Sequence, residues 1–389
     1  MLSSTRETIQ LFIRLKKPSL RNRFPNNTHT RIQSMTKVAF FWSHLPAYAQ
    51  SCLRELATRE EIDLHIFSIG EPPAFFRTDV SEFRCLRTDK KGLCQDVTRI
   101  VNEEKIDVVV GSGWNHQGLL RAIQVTKKGR DLLAICLADT PWKGSLTQQV
   151  RALLGRVKLS KIYDVMWVPG ARSLPLAKLL GYSGTRVWQN QYCADTDRFL
   201  EHGKQRIAEK RWPESFVFAG RLVEEKNIHG LIKAFALYQQ QVDHPWRLTI
   251  VGDGPLSRLI PSTDPRIDWR GARSPDEVAK IFTESGGFVL PSLFEPWGVV
   301  VHEAACTGLP IIASQDVCAT AELVRDGYNG RIVAADSTRQ LAAAMQWLSS
   351  HENLSQLGAN SFNIAQTNTV QNWADMFLCR LNEVRDGRE

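Results

Sequence analysis

From residue 38 to about 190, short β-branched and aromatic runs alternate with longer stretches of helical periodicity. The strand candidates are 38–42, 63–69, 107–111, 132–138, 164–168 and 185–189, and the helical ones are 49–60, 96–105, 119–127, 147–161 and 173–180. Such alternation implies βαβ units, a parallel sheet and right-handed crossovers, hence a doubly wound, Rossmann-like domain. Residues 200–213 are charged and poor in β-branched side chains, the composition of an interdomain linker. The alternation then restarts, with strands at 215–219, 246–251, 267–271, 288–291 and 310–314 and helices at 228–241, 275–283, 299–306 and 338–349. Ser274-Pro275-Asp276-Glu277 marks one helix start clearly, with a capping Ser, Pro at the first helical position and Glu three residues after the cap. A last helical run, 370–384, aligns Trp373, Met376, Phe377 and Leu381 on one face, so it packs back on the body. The expected organisation is a 1–36 extension, domains at 37–200 and 215–365 joined by a 201–214 linker, and a C-terminal helix within 366–389. Two doubly wound domains leave an interdomain cleft at the carboxyl ends of their strands, where open α/β sheets bind ligands.

Composition narrows this only slightly. The 389 residues are 43% hydrophobic and 23% charged, with no apolar run long enough to span a membrane. The formal net charge of +8 is concentrated in residues 1–34, which carry seven Lys or Arg and one acid; the rest of the chain carries +2. That distribution argues against a basic nucleic-acid-binding domain. The extension itself reads as a disordered basic arm. Either Met35 is the working start, or the Arg-rich, acid-poor arm is a targeting peptide. The eight cysteines (52, 85, 94, 136, 193, 306, 318 and 379) show no metal-ligand spacing and read as reduced, buried small hydrophobes of a cytoplasmic protein.

The chemistry concentrates in residues 291–305. A strand ends at Pro291, a loop carries Glu295, Gly298 opens a helix, and 299–306 is apolar except at His302 and Glu303. A buried helix whose N-terminus faces a cleft offers free N–H groups and a positive dipole end to an anion, and Gly298 lets a phosphate approach the backbone. Glu303 is an acid on an apolar element; a ribose diol is one partner that would satisfy it, a nearby Arg or amide another. Arg221 and Lys226 lie on the loop after the second domain's first strand, where a guanidinium fork and an ammonium can neutralise a diphosphate.

Gly220-Arg221-Leu222 with Glu225-Lys226-Asn227, then Gly252-Asp253-Gly254-Pro255, then Glu295-x7-Glu303 and Gly308-Leu309-Pro310, resemble the donor-domain pattern of the GT-B-fold, family 4 (group 1) retaining glycosyltransferases. The resemblance is dense over residues 215–345 and loose over the first domain. It implies a nucleotide-sugar donor whose sugar hydroxyls are bound by Glu295 and whose ribose is held by Glu303. It also implies that Gly220 and the backbone of Trp297, Gly298, Val299 and Val300 cradle sugar and phosphate. Arg221 and Lys226 would stabilise the departing nucleoside diphosphate. No metal or other cofactor is implied. Retention without a protein nucleophile implies front-face substitution, the leaving phosphate accepting the proton of the acceptor. The acceptor, whether glycan, lipid-linked or small molecule, is left open.

Departures from that pattern lie mostly in the first domain. Many family members carry Gly-Gly after the first strand and a sugar-contacting His after the strand ending here near Ala138; this chain has Ser43-His44-Leu45-Pro46 and Asp139-Thr140-Pro141-Trp142. Asp139 thus stands where the His is expected, and His116 either substitutes for it or caps the next helix. Trp42, Trp114 and Trp142, at strand ends, read either as sugar-stacking faces or as packing. The 147–161 helix carries Arg151, Arg156, Lys158 and Lys161 around Val150, Leu153, Leu154 and Val157, which would suit peripheral contact with anionic lipid or simply a solvated face. A non-catalytic sugar- or nucleotide-binding protein, an epimerase or a phosphorylase of the same architecture are the alternatives; the last would need a lysine-bound pyridoxal phosphate, for which no clear site is seen.

Overall fold

A strand covered on both faces must be apolar along its length. The middle of β1 (Thr36–Trp42) meets that demand, with Val38, Ala39, Phe40 and Phe41 wholly buried. The computed structural model describes residues 35–43, 45–70, 84–86, 89–260 and 264–387. All but the last two residues of the expected 1–36 extension, and His44, lie outside the described residues.

After β1 come α1 (Ala47–Leu56), β2 (Ile62–Ile69), β3 (Arg84–Leu86), α2 (Lys90–Glu103), β4 (Val108–Ser112), α3 (Gln117–Lys127) and β5 (Leu133–Leu137). Then follow α4 (Leu146–Ser160), β6 (Val165–Trp167), α5 (Leu174–Leu179) and β7 (Val187–Trp188). Their strands form one parallel sheet in the order β3-β2-β1-β4-β5-β6-β7. The second domain runs α6 (Thr196–Glu209), β8 (Ser215–Ala219), α7 (Ile228–Gln241), β9 (Arg247–Val251), β10 (Ile267–Trp269), α8 (Pro275–Thr283) and β11 (Gly287–Leu290). It continues with α9 (Val299–Cys306), β12 (Ile311–Ser314), α10 (Thr320–Leu323), β13 (Gly330–Val333), α11 (Thr338–Ser349), α12 (Leu354–Ala365) and α13 (Val370–Asp386). Its parallel sheet has the order β10-β9-β8-β11-β12-β13. Each sheet reverses its strand order beside its first strand, between β1 and β4 and between β8 and β11. Crossovers leave for opposite faces there, opening a crevice at the carboxyl ends.

The expected 201–214 linker is mostly helical instead. Phe199, Gly203 and Arg206 of α6 are buried, and a Cβ on Gly203 would sit 2.1 Å from the Cys306 carbonyl oxygen, so α6 lies tight against α9. Arg206 donates to the carbonyls of Thr307 and Ser285, each at 2.8 Å, and to that of Phe282. One buried guanidinium therefore satisfies the carboxyl-terminal carbonyls of α8 and α9, a role invisible in composition.

The last helix packs back as its stripe predicts. Phe377 lies against Phe40, Trp167 and Trp188, with ring centroids 5.9, 5.6 and 5.8 Å apart, and Trp373 stacks on Trp167 at 5.2 Å. Helix α13 thus belongs to the core under the first sheet. The chain crosses between sheets twice, before α6 and after α12, and His302 of α9 ties both crossings. Its Nδ1 accepts the Ala194 N–H at 3.1 Å and its Nε2 donates to the Ala365 carbonyl at 3.2 Å. The crossings also bond to each other, the Val370 N–H to Thr196 Oγ1 at 3.0 Å and the Trp373 indole N–H to the Gln191 carbonyl at 3.1 Å.

Two side-chain expectations change. Trp42 is buried and stacks on Phe40 at 6.2 Å, so it is core and not a cleft face. Five of the eight cysteines are buried, but Cys85 and Cys379 are exposed. Among the described residues no helix is long and apolar enough to cross a membrane.

Candidate active site

The second sheet's crevice is built by three loops that bond to one another. The loop after β9 nests on the loop after β8, with Leu222 N–H donating to the Asp253 carbonyl at 2.9 Å and Leu256 N–H to the Leu222 carbonyl at 3.0 Å. Gly252 is required here: at φ 131° its Cβ would fall 1.9 Å from the Gly220 carbonyl oxygen. Gly220 and exposed Arg221 thereby sit at the end of β8, and the Arg221 side chain makes no hydrogen bond or ion pair among the described residues.

Residues 224–226 then form a 3₁₀ turn that Asn227 ends in the left-handed region, at φ 56°. Its Oδ1 accepts the Gly230 N–H at 3.1 Å and caps α7. The turn aims Lys226 at the third loop, whose Leu293 N–H donates to the Glu225 carbonyl at 2.8 Å. Lys226 Nζ is bonded to Glu295 Oε2, and both side chains are largely shielded from solvent. Glu295 is held in turn by backbone bonds to Asp316 and Cys318 at 3.1 and 3.2 Å.

Gly298 caps α9 at φ 99°, where a Cβ would meet Val317 Cγ1 at 2.9 Å. The half-buried Val299 and Val300 follow, and the N–H groups of this first turn precede the first intrahelical bond. Trp297 behaves otherwise: its side chain is buried against Gly170 of the first domain, and its ring centroid lies 6.4 Å from that of Tyr192. One turn inside α9, half-buried Glu303 makes no side-chain hydrogen bond or ion pair among the described residues. Burial pushes its carboxyl up to about 7, the negative charge of Asp195 adds to the rise, and His302 and Arg198 oppose it.

The first domain contributes two clusters. At its strand-order reversal His116 Nε2 lies 2.7 Å from Ser43 Oγ, which is 2.5 Å from Ser112 Oγ. His116 occupies the N-cap position of α3 but its ring does not cap the helix. Asp139, exposed at the end of β5, accepts the Tyr192 hydroxyl at 3.2 Å, and Tyr192 meets Tyr48 edge-on with centroids 5.6 Å apart. Burial first, then the charges of Asp139 and, more weakly, Glu295, raise the Tyr48 hydroxyl above the usual phenol range. Asp139 and Glu295, one from each domain, thus act on the same tyrosine.

Sequence reasoning did not single out Tyr48 or Tyr192. Tyr48 stands among small residues near a helix start and Tyr192 follows the polar run Gln189-Asn190-Gln191, so neither carries a local signal. It also placed Trp114 and Trp142 at the cleft. Both are half-buried against the first domain's own core, and Trp114 lines a pocket beside α4. The contact that does bridge the domains there is Lys143, whose Nζ lies 3.9 Å over the Phe294 ring. Glu322 makes another, accepting the Ala171 N–H at 2.7 Å. Among the described residues no group of three His, Cys, Asp or Glu side chains is placed to hold a metal ion.

Residues 199–362, from α6 to α12, match the family of group 1 glycosyl transferases. Among curated relatives, a GDP-mannose-dependent alpha-mannosyltransferase of Corynebacterium glutamicum is 30% identical over 161 residues, covering 40% of this chain and 37% of that protein. A D-inositol 3-phosphate glycosyltransferase of Corynebacterium aurimucosum is 27% identical over 168 residues, 40% of each. The chain thus spans about two fifths of the length of these relatives. Among solved structures, Anabaena Alr3699/HepE in complex with UDP superposes with a TM-score of 0.71 at 16% identity, over 90% of this chain and 100% of that one. Sucrose-phosphate synthase from Thermosynechococcus elongatus gives 0.66 at 17%, over 90% and 98%. The chain has the GT-B fold, and its second domain matches the group 1 glycosyl transferases.

Proposed function

We propose that this protein is a retaining, family 4 glycosyltransferase that moves a sugar from a nucleoside-diphosphate sugar to an acceptor hydroxyl by front-face substitution. The observation that carries the reading is the grouping at the second crevice: Lys226 paired to Glu295, Arg221 free beside them, and an unpartnered Glu303 one turn inside the neighbouring helix.

In this reading Glu303 accepts two hydrogen bonds from the ribose diol, and Glu295 accepts from hydroxyls of the donor sugar. The N-terminus of α9 and Gly220 hold the diphosphate against N–H groups and a positive dipole end. As the glycosidic C–O bond breaks, charge grows on the leaving phosphate, and Arg221 with Lys226 is positioned to neutralise it. The leaving phosphate oxygen takes the proton of the acceptor hydroxyl on the same face of the sugar. Asp139, oriented by Tyr192, approaches from the first domain and fills the place of the His expected there. Arg221 and Lys226 together do the work of a divalent ion, so activity is expected to persist in chelator.

A thermal-shift screen against UDP-, GDP- and ADP-sugars identifies the donor, since a ligand that binds only the native state raises its stability. Transfer from that donor is expected to fall by about 10²-fold or more in Lys226→Ala and Glu303→Ala while the fold is retained. Undiminished transfer in both variants would overturn the reading. Nucleotide binding without transfer or hydrolysis to any acceptor would favour a sugar-nucleotide-binding protein instead.

A further inference from the structure

Helix α4 faces the wrong way for a helix of a globular domain. Of its residues only Ala152 and Leu159 are buried, while Leu146, Val150, Leu153, Leu154 and Val157 are 54–79% exposed. Successive residues advance about 100° around a helix axis, so these five fall within an arc of about 100° on the side away from the buried pair. An apolar stripe of that width normally faces a core; here it faces outward.

The charges beside the stripe carry one sign. Between residues 140 and 163 the sequence has five cations, Lys143, Arg151, Arg156, Lys158 and Lys161, and no acid. Arg156 flanks one edge of the stripe and Arg151 and Lys158 the other. A pocket of about 620 Å³ adjoins that second edge, lined by Trp114, Leu176 and Leu180 together with Lys143, Arg151 and Lys158. An apolar wall bordered by three cations fits a phosphate carried on a hydrocarbon chain.

We propose that α4 is a docking face for an anionic lipid leaflet, with the five apolar side chains inserted at the headgroup level and the flanking Arg and Lys on lipid phosphates. Charge selects this occupant. A second copy of the chain would bring the same cations against these cations, and residues 1–34, with seven Lys or Arg and one acid, are of the same sign. The inference does not depend on the transferase reading, since it uses none of the residues assigned to the donor.

The test is co-sedimentation of the full chain with vesicles of phosphatidylcholine alone and with about one quarter phosphatidylglycerol. Binding is expected only to the anionic vesicles and is expected to weaken with added salt. The double variants Val150→Ser/Leu154→Ser and Arg151→Glu/Lys158→Glu are each expected to lower the bound fraction's partition by about tenfold or more. Both alter exposed side chains, so circular dichroism and Tm should match the parent. Absence of binding to anionic vesicles would overturn the proposal. So would equal binding by the parent and both variants, which would place the lipid contact elsewhere in the chain. A parent dimer that the serine variant dissociates would overturn it as well, by assigning the face to a second copy.

Discussion

Lys226 and Glu295, 69 residues apart, form an ion pair at the point where the second sheet reverses its strand order. One comes from the turn after β8 and the other from the loop after β11, so the pair also ties those two loops together.

Removing either partner leaves a shielded charge without its counterpart. Lys226→Ala is therefore expected to lower kcat by about 10²–10³, and Lys226→Arg should recover only part of that, since a planar fork replaces a compact ammonium. If the pair acts as a unit, Lys226→Ala with Glu295→Gln will cost less than the sum of the single changes. Steady-state kinetics on the four proteins closes that cycle; strict additivity would mean that the two residues act separately.

With Glu303 on the ribose as proposed, donor binding is expected to depend on pH. Its carboxyl titrates near 7 in the folded protein against 4.5 for the ordinary group. Between those values the folded chain holds a proton that the unfolded chain has lost, so this group's contribution to stability falls as pH rises through the window. A diol donating two O–H bonds favours the ionised form. Nucleotide affinity should thus increase on going from about pH 6 to 8, by up to about tenfold per unit below the pKa. Calorimetric titration across that range checks the slope, and Glu303→Gln should flatten it.

Tyr192 positions Asp139 through a single hydroxyl. Tyr192→Phe keeps the ring contacts with Tyr48 and Trp297 and removes the hydroxyl that bonds Asp139 and also meets the Tyr48 hydroxyl. The expected result is a fall in kcat of about fivefold with the donor KM unchanged, because a hydrogen bond of this kind is worth about 1 kcal/mol. Stability measured in urea should move by less than about 1 kcal/mol. A change in KM alone would assign Tyr192 to donor binding.

His302 joins both crossings between the sheets, and no apolar side chain can replace its two bonds. His302→Phe leaves the Ala194 N–H unsatisfied in a buried place, while the Ala365 carbonyl keeps the Asn368 N–H, and is expected to cost about 1–3 kcal/mol in urea unfolding. A cost below about 1 kcal/mol would show that the crossings are held by their other bonds.

Much of the second domain was legible in the sequence because its signals are local. The expected 215–219, 228–241, 275–283, 299–306 and 338–349 coincide with β8, α7, α8, α9 and α11. Ser274 caps α8 with its box complete, Asn227 caps α7, and α9 is apolar except at His302 and Glu303. Helix α12 escaped notice because its buried face includes Gly358, Asn360 and Ser361, which leave no hydrophobic periodicity to detect. Strands β3 and β13 are three and four residues long, too short to carry a period. Helix α6 read as a linker because a buried Arg and a close-packed Gly, and not an apolar stripe, fasten it.

By itself, then, the sequence determined two alternating α/β domains, the loops of the second crevice and the residue types they carry, since capping, turn chemistry and periodicity act within a few residues. Only the tertiary structure decided which side chains meet: Lys226 with Glu295, Asp139 with Tyr192 53 residues away, and His302 with both crossings. It also turned Trp42 into the core and the apolar stripe of α4 outward. Those outcomes depend on how two separately formed sheets face each other and on which surface each helix covers. Contacts distant along the chain settle both, and no local pattern encodes them.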